Sequence, residues 1–302
     1  VFLFSAFRKL AELRFVETGQ RPDRSALRGM LNNQLVGFDI NSHARTLAAL
    51  ALYLTALELD PAPAPVEALI FEKLEGRVLV DVADPGSDPT IIRPMAGSLG
   101  KHVPDAYRNV FGLVVGNPPW TSLKPTYKAI DQIFTDRCRE VAVRRGLPSS
   151  ARDYLNPDQV TDLPFIWGAM EWAKPGGRIA LALAGRWLFK MSPSGFSARK
   201  AIFQALSITG ILNGASIRKS QVWPNVDQPF CLLFADNRLP DSGGQFVFIS
   251  PDDDPGLSAK GRMRIDAHDA VPVSLGQAAE QPDLLKTLYR GTALDATIVR
   301  RI

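Results

Sequence analysis

Val110-Phe111-Gly112-Leu113-Val114-Val115-Gly116-Asn117-Pro118-Pro119-Trp120 joins an apolar run to a turn that two prolines make rigid. The run reads as a buried strand, and open α/β sheets bind ligands just beyond the carboxyl ends of such strands. The turn can hold two oxygens, the Asn117 side-chain amide and the Pro118 carbonyl, at a set separation and direction. Both are acceptors, so together they can take the two N–H bonds of an amino group. Pulling on those hydrogens moves the nitrogen towards the tetrahedral shape from which it attacks an electrophilic methyl. Trp120 adds a flat apolar face on which a planar base can stack. An isolated Asn-Pro-Pro is equally a rigid surface turn, so the surrounding chain has to decide.

Upstream, residues 2–16 carry helical periodicity, with Phe4, Phe7, Leu10 and Leu13 near one face, until Gly19, Pro22 and Asp23 break it. Residues 35–40 read as a buried strand ending in an acid, Asp39. Asn41-Ser42 offers a helix cap, and an Ala/Leu-rich helix runs to about Glu58 before Pro61, Pro63 and Pro65. Residues 77–82 are a second strand candidate. Downstream, residues 121–162 are polar with little apolar periodicity, and read as an insertion lying over a site. A helix over 163–173, the stop Lys174-Pro175-Gly176-Gly177 and a strand over 178–184 follow. A helix near 198–206 and strands near 208–212, 230–235 and 246–249 complete the pattern. Strands alternating with helices predict an α/β, doubly wound, mostly parallel sheet with antiparallel end strands.

Composition bounds the rest. With 302 residues, 46% hydrophobic and 22% charged, the chain can build a core, which excludes disorder. A formal charge of +4 is compatible with a polyanionic partner without implying one. Cys138 and Cys231, with His43, His102 and His268, form neither a zinc pattern nor a disulfide framework, which fits a reducing cytoplasm. No metal site and no membrane span are expected from these patterns.

The motif in this context resembles the N6-adenine DNA methyltransferases of restriction–modification and phage-defence systems. Their signature, Asn/Asp-Pro-Pro followed by an aromatic residue after a strand, is matched by Gly116-Asn117-Pro118-Pro119-Trp120. Val36-Gly37-Phe38-Asp39-Ile40-Asn41 matches the segment in which an acid binds the ribose hydroxyls of S-adenosylmethionine. The resemblance thus implies Asp39, Ile40 and Asn117 as cofactor-binding residues, and Asn117, Pro118, Pro119 and Trp120 as the catalytic turn. Ser220-Gln221-Val222-Trp223-Pro224 is similar to the segment that packs the far face of a flipped adenine, so Trp223 is expected to sandwich the base with Trp120. A core role for Trp223 is the alternative. Arg186 is read either as a phosphate contact or as an ordinary surface charge.

What the resemblance implies as a whole is a Rossmann-like class I S-adenosylmethionine-dependent methyltransferase fold. The implied enzyme is adenine-specific, works by base flipping on double-stranded DNA in a bacterial or archaeal cytoplasm, and has a restriction or defence-system subunit as candidate partner. Residues 1–250 are expected to form the catalytic core, and 251–302 an extension leading towards a target-recognition domain. Two departures are visible. The glycine-rich cofactor loop is missing, as though the chain began just after it. No acid stands near Ala96-Gly97-Ser98-Leu99, where Ser98 or Asn109 are the available substitutes. Methylation of RNA adenine or of protein glutamine, and a non-catalytic module binding DNA or a partner, are the competing readings.

Overall fold

A computed structural model describes residues 2–81, 105–291, 293–299 and 301. The chain divides into two units, Val1–Gly97 and Ser98–Ile302.

In the smaller unit, α1 (Phe2–Thr18), α2 (Arg24–Asn33) and α3 (Ser42–Leu59) accompany two short parallel strands, β1 (Gly37–Asp39) and β2 (Leu79–Asp81). Local chemistry sets the boundaries. The Asp23 carboxylate accepts from Ala26 N–H at 2.8 Å to start α2, and Asn41 Oδ1 accepts from His43 and Ala44 N–H to start α3. Phe7, Leu27, Leu52, Leu74 and Val78 form the unit's core. Of the strand expected over 35–40, only Gly37–Asp39 joins the ladder, although Leu35 is buried beside it. The second expected strand is seen as Leu79–Asp81; Val82 and residues 96–99 lie outside the described residues.

The larger unit is built on six strands: β3 (Phe111–Gly116), β4 (Ala173–Ala184), β5 (Ser207–Asn213), β6 (Phe230–Asp236), β7 (Gln245–Ile249) and β8 (Ala270–Ser274). Their order is β3-β4-β6-β5-β7-β8. The α/β class is as expected. The pairing is mixed, with β3/β4 and β5/β7 parallel, the end strand β8 antiparallel to β7 as expected, and β6 antiparallel to both β4 and β5, so a second reversal lies inside the sheet. β4 lies inside the sheet, paired with β3 on one side and β6 on the other, and residues 179–184 are mostly buried, which is why they read as a nearly continuous apolar run.

Helices α4 (Lys128–Arg144), α5 (Pro148–Asp153), α6 (Leu163–Trp172), α7 (Arg186–Phe189), α8 (Pro193–Ala205), α9 (Pro255–Ser258), α10 (Leu275–Glu280), α11 (Leu284–Arg290) and α12 (Ala293–Val299) complete this unit.

Three expectations are corrected here. Residues 121–162 are not free of helical periodicity: α4 buries Ile130, Phe134, Cys138, Val141 and Ala142, the last three in the main core. Arg and Glu on its other face mask that stripe in the sequence. Residues 251–302 are not merely an extension, because β8 pairs with β7 and α10 supplies Leu275, Ala278 and Ala279 to the same core. Finally, Lys174-Pro175-Gly176-Gly177 follows the helix end at Trp172 but belongs to the irregular start of β4. Gly176 has φ +71°, and a Cβ on Gly177 would meet Phe111 O at 2.8 Å and Lys174 O at 2.9 Å. Both neighbours are backbone and cannot swing away, so Gly177→Ala is expected to lower the unfolding free energy by roughly 1–3 kcal/mol, read by urea denaturation. Unchanged stability would show that the β3/β4 start has room to spread.

No helix among the described residues is long and apolar enough to cross a membrane.

Candidate active site

β3 runs parallel to β4 with Val115 opposite Ala180 and Gly116 opposite Leu181, and the chain leaves the sheet at Asn117. A Cβ on Gly116 would sit 3.3 Å from Leu181 Cδ2, so glycine lets the turn start close against β4. Asn117 is exposed, Pro118 is buried and Trp120 is half-buried. The Trp120 indole Nε1–H donates to Ala182 O at 3.1 Å, which ties the ring to the carboxyl end of β4.

Trp223 and Phe230 complete an aromatic cluster with Trp120. Phe230 opens β6 opposite Ala184, so the antiparallel strand returns its first residue to the same end of the sheet. Trp120 lies 6.4 Å from Phe230 with planes 9° apart, and 5.2 Å from Trp223 at 79°. Trp223 meets Phe230 at 4.8 Å and 76°. The expected pairing of Trp120 with Trp223 is thus observed, but not as an open sandwich. A ring held between two parallel faces needs them roughly 7 Å apart, twice the carbon contact distance. Here the two indoles touch edge to face. The sequence also gave no hint of Phe230, since a phenylalanine at a strand start is ordinary core.

Asp162, missed in the sequence because it belongs to no motif, is the site's buried acid. It is 1% exposed; Oδ2 accepts from Ala184 N–H at 3.1 Å, and Oδ1 has no partner among the described residues. Burial pushes its carboxyl up to about 6, against the pull of the Ala184 N–H and of the exposed Arg186 guanidinium. Folding therefore favours the protonated form. The associated stability is complete below the ordinary value of 3.8 and is lost as pH rises through about 6. By pH 7 the loss amounts to roughly 3 kcal/mol. Asp162→Asn keeps an acceptor for Ala184 and cannot ionise, so between pH 4.5 and 7.5 its unfolding free energy is expected to fall less than the parent's. Parallel urea-unfolding curves for the two proteins across that range would refute this.

Asp39 and Ile40 belong to the smaller unit. Asp39 closes β1 and is exposed, with Oδ1 accepting from Asn41 N–H at 2.8 Å; Ile40 is half-buried in the turn that follows. Arg45, a residue the sequence did not single out, joins the two strand ends by donating to Asp39 O and to the Asp81 carboxylate, each at 2.8 Å. In the larger unit, Asn109 precedes β3 with φ 58° and donates its N–H to Glu171 O at 2.7 Å. Cys138 and Cys231 are both fully buried, and burial pushes both thiols up, that of Cys231 to about 12, so neither is a ready nucleophile. His268, which has no companion at ligand spacing in sequence, lies with Asp252 and Asp269, their ligating atoms within 4.8 Å. Asp269 is already engaged there by Asp266 N–H and by the His268 ring.

No family model matches the sequence, and no curated protein matches it. Solved structures do. The ATP-dependent type ISP restriction–modification enzyme LlaBIII, bound to DNA, aligns with a TM-score of 0.53 at 11% identity over 86% of this chain. A type I restriction–modification system structure aligns at 0.52 and 13% over 93%, and a nuclease-deletion mutant of the type ISP enzyme LlaGI, in complex with a DNA substrate mimic, at 0.51 and 12% over 82%. The chain spans 18%, 50% and 20% of those three chains, respectively. At such identities the likeness is one of fold. The chain therefore has an α/β fold shared with components of type I and type ISP restriction–modification systems.

Proposed function

We propose that this chain is the catalytic core of an S-adenosylmethionine-dependent methyltransferase acting on the N6 amine of a flipped adenine in DNA, within a restriction–modification or defence system. One observation carries the reading. The Asn117-Pro118-Pro119-Trp120 turn leaves the carboxyl end of a parallel strand, with Trp120 pinned to Ala182 and walled by Trp223 and Phe230. Acceptors for an amine and apolar faces for a planar ring thus stand within four residues of chain.

Asp39 and Ile40 fit the ribose and adenine of the cofactor chemically. Asp39 is an exposed carboxylate at the end of β1, suited to the vicinal hydroxyls of a ribose, with Ile40 as the apolar neighbour for its adenine. When bound, S-adenosylmethionine supplies an electrophilic methyl group on a sulfonium. Asn117 Oδ1 and the Pro118 carbonyl accept the two N–H bonds of the substrate amine and orient its lone pair. Trp120 receives the unstacked base, which cannot present its amine while paired in a duplex. Trp223 and Phe230 exclude water beside it. Most of the rate enhancement then comes from positioning rather than acid–base chemistry.

The test is methyl transfer from labelled S-adenosylmethionine to duplex DNA, to RNA and to a glutamine peptide, with the products hydrolysed and identified. Label recovered as N6-methyladenine from DNA supports the proposal. Label in RNA or in the peptide keeps the site chemistry and replaces the substrate. Cofactor binding without transfer to any of the three would overturn the catalytic reading.

A further inference from the structure

Residues 156–162 do something that their polar composition conceals. They form a short antiparallel clip against the segment just after the Asn-Pro-Pro turn. Leu123 N–H donates to Gln159 O at 2.8 Å, Thr161 N–H donates to Thr121 O at 3.0 Å, and Ser122 bridges Val160. The clip turns back through Asp158 and Gln159, two consecutive non-glycine residues with φ 54° and 53°. That left-handed backbone costs energy for side chains with a Cβ, and it persists only where the surroundings enforce it. Asn156 does so by donating to Val160 O at 2.9 Å and to the Asp131 carboxylate at 2.7 Å, while Lys190 pairs with Asp158.

At the centre of the clip is Thr161, 2% exposed, whose hydroxyl donates to Pro119 O at 2.8 Å. The Thr121 hydroxyl lies 3.2 Å from the Thr161 hydroxyl. The proline rings fix φ at positions 118 and 119, and the second ring also confines ψ at 118, so ψ at 119 is the torsion left free. The Pro119 carbonyl reports that remaining torsion at the peptide leading into Trp120. Its hydrogen bond to Thr161 therefore supplies a restraint that proline cannot. The next residue, Asp162, accepts from Ala184 N–H at 3.1 Å, two residues beyond the Ala182 carbonyl that holds the Trp120 indole. Turn, clip and strand end form one closed ring of hydrogen bonds.

We propose that Thr161 is a positioning residue for the turn 117–120, locking through Pro119 O the backbone that carries Asn117 and Trp120. The kinetic consequence rests on the methyltransferase reading above; the structural consequence does not. Thr161→Val removes the hydroxyl at nearly constant volume, and Thr161→Ser restores it. Amide hydrogen exchange in the folded protein, thermal midpoint, and steady-state methyl transfer to unmodified genomic duplex DNA are measured on all three proteins. In the valine variant, exchange at the clip's hydrogen-bonded amides, those of residues 123 and 161, is expected to accelerate about tenfold, and kcat to fall about tenfold with KM changed less than about twofold, the scale of one lost hydrogen bond. The serine variant recovers both. Unchanged exchange in Thr161→Val overturns the proposal, as does a serine variant as impaired as the valine one. Faster exchange with an unaltered kcat overturns the positioning role. If the parent protein transfers methyl to neither nucleic acid nor peptide, the functional reading fails, and the exchange comparison still decides whether Thr161 locks the turn.

Discussion

Asn117→Ala is expected to lower single-turnover methyl transfer by roughly 10²–10³-fold, the range seen when one preorganised hydrogen-bonding group is removed from a reacting centre. The fold should be spared. Asn117 is exposed where the chain leaves β3, so the truncation opens no cavity. The rigidity of the turn resides in Pro118, Pro119 and the Thr161 hydrogen bond rather than in the asparagine side chain. The loss should therefore appear mainly in the chemical step, with the affinity for duplex DNA close to the parent's and a smaller rise in the KM for S-adenosylmethionine, which Asn117 is also expected to contact. Asn117→Asp, which keeps an acceptor oxygen at the same distance from the backbone, is expected to retain a measurable part of the rate. Near-normal turnover in the alanine variant would remove Asn117 from the mechanism.

The largest stability effect is expected at Arg199. This guanidinium, 1% exposed on α8, donates to Trp187 O at 3.2 Å, Lys190 O at 3.0 Å and Pro282 O at 2.7 Å. It gathers α7, the turn before α8 and the segment leading into α11. Burial pushes its own ionisation down to about 10, with Asp283 opposing, so the residue remains charged at neutral pH. Its net contribution is the balance of desolvation against charge-assisted hydrogen bonds. Arg199→Met retains part of the apolar volume but leaves three carbonyls without their donor. The expected cost is roughly 3–5 kcal/mol, or on the order of 10 °C in thermal midpoint for a domain of this size. Calorimetry and urea denaturation read it directly. A shift below about 1 kcal/mol would mean that water replaces the guanidinium.

Much of this arrangement is readable in the chain where local chemistry dictates it. Asn41 caps α3 because its side chain reaches the nearest free N–H groups, and Pro61 marks that helix's far side. The apolar runs that became β4 and β5 are legible because strands packed on both faces leave little room for polar residues, whereas the run expected as a buried strand at β3 has no buried residue and exposes Leu113 and Val115. What was not legible depends on contacts between distant segments. α4 hides its buried stripe because Thr135 and Cys138 occupy core positions among six charged neighbours over residues 136–145. The edge-to-face meeting of Trp120 and Trp223 depends on where the loop after β5 comes to rest. Thr161 and Asp162 match no pattern, since a hydroxyl and a carboxylate acquire their roles only once Pro119 O and Ala184 N–H lie beside them. The order of strands within the sheet was likewise set by packing rather than by any one segment.

The two buried sulfurs have a practical consequence. Cys138 sits on α4 and Cys231 in β6, both within Ser98–Ile302, and Val1–Gly97 contains no cysteine. A thiol held protonated and shielded from solvent does not react with an alkylating reagent until the structure around it opens. Pulse alkylation of the native protein, followed by mass measurement, thus times the opening of the larger unit alone. Peptide mapping then separates the two clocks, one for the helix beside the clip and one for the centre of the sheet. The chain carries its own unfolding probe, one that needs no engineered label.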